Sequence, residues 1–160
     1  MSEATAFHQP QSGVFLRRVV YGFIAGFIAV PVFHQVMVIL LNAAGLVSWT
    51  PYRMSPVPPF GVPAVISSSF WGGVWGIVFA LLASVFPRGA AYWVTAVLFG
   101  ALALTVVAWI LVAPLKGMPL FFGGDPAGML AGLLVNGAWG LGVALMLRPF
   151  AASLGFPRAA

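Results

Sequence analysis

The chain of 160 residues has no cysteine, two carboxylates and few charges of any kind. Each scarcity excludes a class of function. Without cysteine there are no disulfides, thiolate ligands or thiol nucleophiles, and the redox compartment leaves no trace. The carboxylates are Glu3 and Asp125, at opposite ends of the sequence, so no acid/base pair is formed. There is no phosphate-cradling glycine loop and no HExxH helix. Ser67, Ser68 and Ser69 have only His34 as a conceivable activating base. These absences lead to the expectation of no catalytic residues, no metal site and no enzyme activity. Charged residues make up 6% of the chain, where a soluble domain carries about a quarter. A chain so poor in charge cannot cover itself with water-compatible surface, so lipid must be the solvent for most of it. The net charge of +5 comes from basic residues scattered along the chain, with only Arg17 and Arg18 adjacent. No basic face results, and nucleic acid is not expected as a partner.

What the sequence does have is apolar length. Hydrophobic residues form 62% of the chain and gather into four runs, at about 14–46, 64–86, 90–113 and 127–147. Each reaches the roughly 20 residues that cross a bilayer. Backbone polar groups in hydrocarbon must be satisfied within the segment, so the runs should be helices. The expected fold class is an all-α membrane protein with four spans, flanked by polar tails at 1–13 and 148–160. Val19 to Leu41 is longer than the apolar core of a signal peptide, and no small-x-small cleavage site follows it. Arg17 and Arg18 lack a twin-arginine context. With the N-terminus inside, Arg17, Arg18, Arg88, Arg148 and Arg158 face the cytoplasm, and Arg53 and Lys116 lie outside. That imbalance predicts both termini in the cytoplasm. Trp49 and Tyr52 mark the outer interface, and Tyr92 and Trp93 the inner one.

Two of the runs repeat each other. Gly73, Trp75, Gly76, Ala80 and Leu81 recur sixty-four positions later as Gly137, Trp139, Gly140, Ala144 and Leu145. Phe-Gly precedes Pro-Ala at the head of both runs, at 60–64 and 122–127. Proline suits a first helical turn, and Asp125 before Pro126 is a suitable N-cap. Val36, Ile39 and Leu40 align more weakly with Val107, Ile110 and Leu111, which sets His34 against Thr105. Either two parallel hairpins have been duplicated, or a Gly-, Ala- and Leu-rich composition has produced a coincidence. Small residues also recur every fourth position, including Gly72 and Gly76 in the second run and Gly128, Gly132 and Gly140 in the fourth. Such rows let helices approach closely. Span 2 is expected to pack on span 4 through them. The alternative is a homodimer or a partner's helix.

His34 is the one titratable side chain deep in a span, just after Pro31, which favours a kink. Counting residues along four antiparallel helices sets Gln35, Ser67, Ser68, Ser69, Thr105 and Asn136 near its depth. One outer-leaflet polar layer is therefore expected. It serves either to fix helix pairing by hydrogen bonds or as a site for a ligand or proton. Haem held by His34 of two protomers is a weak alternative; bis-histidine ligation within one chain would need a second histidine, and the chain has only His8 besides, so no cofactor is expected. Arg53 sits at the headgroups, contacts a partner, or forms with Asp125 the mouth of a site above the polar layer. Pro56, Pro58, Pro59 and Pro63 stiffen the loop that carries it.

Ile77-Val78-Phe79-Ala80, Val85-Phe86-Pro87, Trp93, Gly100-Ala101-Leu102-Ala103 and Pro114-Leu115-Lys116-Gly117 resemble the YagU type of bacterial inner-membrane proteins. The stretch covers about a third of the chain, through spans 2 and 3 and part of the next loop. The resemblance implies the bacterial cytoplasmic (inner) membrane and a link to acid tolerance. The chain departs from that pattern in the glycine row of span 4 and in its outer loop, and no functional residue is carried over.

Together these features lead to the expectation of a multi-pass inner-membrane protein that is a non-catalytic accessory or assembly subunit. Its expected partners are the lipid bilayer and other membrane subunits or a second copy of itself. The alternative is a small permease or channel with an outward-facing polar site at His34.

Overall fold

The computed structural model describes residues 11–115 and 117–156, apart from the side chains of Gln11 and Phe122. Glu3, His8, Lys116 and Arg158, which entered the reasoning above, lie outside the described residues. Four helices long and apolar enough to cross a membrane make up the protein: α1 (Ser12–Ala43), α2 (Ala64–Val85), α3 (Ala90–Leu115) and α4 (Pro126–Phe150). A short antiparallel ribbon, β1 (Pro56–Val57) with β2 (Val62–Pro63), lies in the α1–α2 loop.

The helix ends follow local chemistry. α1 stops at Ala43 rather than near residue 46 because Gly45 takes a left-handed φ of +71°. Leu46 N–H then bonds the Leu41 carbonyl and Gly45 N–H the Asn42 carbonyl, the paired closure that glycine permits after a helix. α3 ends in the same way. Gly117 has φ +69°, and its N–H and that of Met118 bond the carbonyls of Pro114 and Ala113. Asp125 caps α4, accepting from Ala127 N–H at 3.3 Å and Gly128 N–H at 2.9 Å, with Pro126 as first helical residue. Pro63 stands one position earlier in α2, as the cap itself. There the loop satisfies the first amides: Ala64 N–H bonds Ser55 O, and Val65 N–H bonds Arg53 O. Pro31 lies in a π-helical turn, Val30–His34, and α3 contains two more, Phe99–Leu104 and Ala108–Val112. A wider turn accommodates a proline ring that an α-turn would press against the preceding carbonyl.

The expected pairing of span 2 with span 4 is not what forms. α2 lies along α1, and α4 lies along α3 and α1, while α2 and α4 barely touch. The small-residue rows act within each hairpin. A Cβ on Gly76 would overlap the Gly22 carbonyl oxygen, and one on Gly26 would overlap that of Gly72. In the second hairpin a Cβ on Gly140 would overlap the Ala96 carbonyl oxygen, and one on Gly100 that of Asn136. Phe23 lies over Gly73, and Val97 over Gly137. The row does not extend to its first member: a Cβ on Gly128 would meet only the capping carboxylate of Asp125. The reason for the different pairing lies in α1 and α3, whose own small residues at Gly22, Gly26, Ala96 and Gly100 meet the rows of their sequence neighbours.

The two hairpins join along α1 and α4. Trp139, 1% exposed, donates its indole N–H to the Gly26 carbonyl at 2.9 Å. Phe33 packs over Gly142. The α2–α3 seam is filled by rings instead. Phe99 makes edge contacts with Trp75 and Phe79, and Phe86 bridges Phe79 and Tyr92. The core runs through Ala29, Phe79, Ala80, Val143 and Leu147.

The segment after α4 is not a free tail. Ala151, Leu154 and Phe156 are buried against the bundle. Arg18 donates to the carbonyls of Leu154 at 2.8 Å and Gly155 at 3.4 Å and to Ser84 Oγ at 3.4 Å. Its guanidinium also lies over the Phe156 ring. Gly155, at φ +65°, turns the chain back so that Phe156 N–H bonds the Ala151 carbonyl and its ring is buried as well.

Candidate functional site

The expected single polar layer separates into two groups, one in each hairpin. Depth along a helix was legible from residue counts; direction around it was not. In the second hairpin Asn136 Nδ2 donates to Thr105 Oγ1 at 2.8 Å, and Thr105 Oγ1 donates to the Gly132 carbonyl at 3.1 Å. Thr105 is 1% exposed. This chain ties α3 to α4 and uses the polar capacity of the threonine hydroxyl. Ser69, equally buried, bonds the Val65 carbonyl of its own helix at 2.9 Å, and Ser67 is half-buried on α2. Neither joins a polar cluster.

The first group is built on α1, α2 and the loop between them. Asn42 holds that loop, accepting from the Trp49 N–H at 3.0 Å and donating to the Trp49 carbonyl. The next hold is at Tyr52. Its phenol donates to the Pro31 carbonyl at 2.7 Å, and its backbone N–H donates to Gln35 Oε1 at 2.8 Å. Tyr52 has φ +48°, a left-handed conformation that costs a residue with a β-carbon about 1–2 kcal/mol. The two bonds to α1 hold it there. The loop is thus latched onto the π-turn that Pro31 induces.

Beneath this latch is a cavity of about 160 Å³. His34, Gln35 and Val38 of α1 form one wall, and Ala64, Val65 and Ser68 of α2 the other. Trp49, Thr50 and Arg53 of the loop complete it. One and two turns further along α2, Gly72 and Gly76 meet the α1 backbone at Gly26 and Gly22. No side chain separates the helices there, so the α1–α2 seam closes below the cavity.

The hydrogen bonds set the polarity of the cavity. Because Gln35 Oε1 accepts from Tyr52, its Nε2 is the atom turned to His34, 3.5 Å from Nδ1. An amide nitrogen only donates, so the ring tautomer that suits this contact leaves Nδ1 to accept and carries its proton on Nε2. Among the described residues His34 Nε2, Ser68 Oγ, Thr50 Oγ1 and the Arg53 guanidinium have no hydrogen-bond or ionic partner. Asp125, the one carboxylate described, caps α4 and does not line the cavity. Of the two residues considered for the mouth of a site, Arg53 lines the cavity and Asp125 does not.

Sequence reasoning singled out His34, Gln35 and Ser68 because polar residues stand out in apolar runs, and Arg53 as a charge in the loop between two of them. It missed the Tyr52 latch, which depends on a loop conformation. It also missed the Trp139–Gly26 bond, which depends on which helices are neighbours. No cluster of three or more His, Asp or Glu side chains suited to a metal ion occurs among the described residues. Comparison with protein-family models, with curated proteins and with solved structures gives no match for this chain.

Proposed function

We propose that this polytopic membrane protein is a non-catalytic accessory or assembly subunit. It would sit in the bacterial inner membrane with both termini in the cytoplasm and the latched α1–α2 loop outside. The observation that carries this reading is the closed seam beneath the cavity. A transport path along α1 and α2 would have to pass the backbone contacts at Gly22, Gly26, Gly72 and Gly76. The other polar group, at Thr105 and Asn136, is occupied by bonds between helices. The loop, by contrast, offers a held surface. Phe60 at the ribbon tip is 86% exposed and Met54 65%, which suits contact with a partner or the interface. Purification from native membranes in mild detergent should yield a stoichiometric partner. A lone monomer or homodimer under those conditions would overturn the reading.

We also read the two hairpins as a duplication. The support is the matched seams: Gly22, Phe23 and Gly26 stand in α1 where Ala96, Val97 and Gly100 stand in α3, seventy-four residues on. That offset replaces the one that set His34 against Thr105. The shared helix ends at Gly45 and Gly117 point the same way. The orientation rests on Arg17, Arg18, Arg88 and Arg148 at one end of the bundle, against Arg53 at the other. A cytoplasm-active reporter fused after Ala160 should be active, and one inserted between Pro58 and Pro59 inactive. The reverse pattern would invert the assignment. The resemblance to YagU-type proteins adds the inner membrane to this reading.

A permease remains the second reading, favoured by the polar cavity at His34. It requires His34→Ala to abolish a pH-dependent flux in proteoliposomes. An unchanged flux would remove it.

A further inference from the structure

We infer that the cavity between α1, α2 and the latched loop binds an oxyanion of the phosphate class, held by Arg53, His34 and Ser68. The inference goes beyond the accessory-subunit reading and stands whether or not a partner docks on the loop.

A site for a cation needs carboxylates or an excess of acceptors. This cavity has neither, since the one described carboxylate is committed to the α4 cap. Its side-chain groups left without a partner among the described residues are donors, or hydroxyls able to donate. The guanidinium can do nothing else. His34 Nε2 is a donor in the tautomer that lets Nδ1 accept from the Gln35 amide, whose oxygen is taken by the Tyr52 backbone N–H. Ser68 and Thr50 each supply a hydroxyl. A ligand that answers such a set is rich in acceptors and carries negative charge to answer Arg53.

Size and position narrow the class. A volume of about 160 Å³ holds roughly five waters at about 30 Å³ each. That suits a tetrahedral oxyanion with some of its hydration, and it is too small for a nucleotide. The cavity lies at the loop end of two spans, beside Trp49 and Tyr52, residue types that gather at membrane–water interfaces. Ser68, which lines the cavity, is exposed on α2. Two sources share this chemistry: the phosphodiester of an anionic lipid and free phosphate. The latch gives the site its shape. The Tyr52 bonds to Pro31 and Gln35, with the Asn42 bonds to Trp49 and the Val65 N–H bond to the Arg53 carbonyl, hold the loop carrying Thr50 and Arg53 over His34 and Ser68.

The test uses the full chain, purified in a non-ionic detergent and freed of lipid. Inorganic phosphate is titrated by calorimetry, and phosphatidylglycerol binding is followed by native mass spectrometry, with phosphatidylcholine as the zwitterionic control. Arg53→Gln is compared with the natural chain, and unchanged gel-filtration behaviour shows that it folds. Arg53 is exposed, and its side chain has no partner among the described residues that the substitution would break. The expected result is binding of at least one anionic probe, weakened about tenfold or more by Arg53→Gln, as for loss of one charge-assisted hydrogen bond. Ser68→Ala should weaken it by less. Phosphatidylglycerol alone would identify a lipid headgroup site, and inorganic phosphate alone a site for a soluble anion. If neither binds, if Arg53→Gln leaves binding unchanged, or if phosphatidylcholine binds as tightly as phosphatidylglycerol, the inference is overturned.

Discussion

Trp139 on α4 and Gly26 on α1 share a hydrogen bond of 2.9 Å at the centre of the bundle, 113 residues apart in the chain. The same Gly26 lies against Gly72 and Gly76 of α2. One turn of α1 therefore meets a backbone on one side and an indole on the other, and three helices converge there. No side chain on residue 26 would allow both contacts.

Replacing Trp139 by phenylalanine tests the bond separately from the packing. The ring still fills the seam, but the donor is lost, and the Gly26 carbonyl keeps only its helical partner. Interhelical hydrogen bonds in membrane proteins are worth about 0.6 kcal/mol on average and up to about 1.7. We expect Trp139→Phe to lower stability toward the upper end of that range, measured by SDS-induced unfolding in mixed micelles. Trp75→Phe should cost less. Trp75 occupies the matching place on α2, but its ring meets Phe99 edge-on and makes no interhelical hydrogen bond among the described residues.

The glycine seams make a sharper demand. A methyl on Gly76 or Gly140 would occupy the place of a carbonyl oxygen on the facing helix. Neither backbone can yield without moving a whole span. Gly76→Ala and Gly140→Ala should each destabilise by about 1–3 kcal/mol, the usual cost of overpacking, in the same unfolding assay. Gly13→Ala is the control. Its Cβ would stand 3.6 Å from a flexible arginine tip, and no loss is expected.

These seams also show which parts of the fold could be read in advance. Four spans follow from four apolar runs, because length and hydropathy alone decide whether a helix is stable in lipid. The Asp125 cap is a contact between residues two and three apart, and that too is legible. Helix partners are different. Gly72 and Gly76 announce a smooth face, but the same feature at Gly22 and Gly26 fits it as well as Gly132 and Gly140 would. Only the packed bundle selects the hairpin neighbour. The site divides in the same way. His34, Gln35 and Ser68 stand out as polar residues in apolar runs. Their separation from Thr105 and Asn136 depends on rotation about four helix axes, disturbed in α1 and α3 by π-turns. Each such turn resets the face that later residues present.

Thr105 and Asn136 should prove structural. Thr105→Val keeps the shape of the side chain and removes both the donor to Gly132 and the acceptor for Asn136. Asn136→Leu removes the other partner. A double-mutant cycle with these two changes should return a coupling of about 0.6 kcal/mol in the unfolding assay. Anion binding in the α1–α2 cavity should be unaffected by Thr105→Val, since that residue does not line it. Loss of binding on Thr105→Val would mean that the two polar groups act as one site after all.

The last prediction concerns the other end of the bundle, where Arg18 holds the segment that follows α4. Its guanidinium serves the Leu154 and Gly155 carbonyls and Ser84, and covers Phe156. Removal of that charge leaves two carbonyls unpaired beside a segment joined to α4 through a single turn. Leu154 and Phe156 still favour burial, so the bundle itself should persist. The cost should fall on local opening. We expect Arg18→Gln to speed chymotrypsin cleavage after Leu154 several-fold in detergent while global unfolding shifts by less than about 1 kcal/mol, within the range for one modest hydrogen-bond loss. Arg88→Gln, at an exposed position on the α2–α3 turn, should leave cleavage unchanged. Equal cleavage of the Arg18→Gln and natural chains would mean that burial of Leu154 and Phe156 holds the segment without help from the arginine.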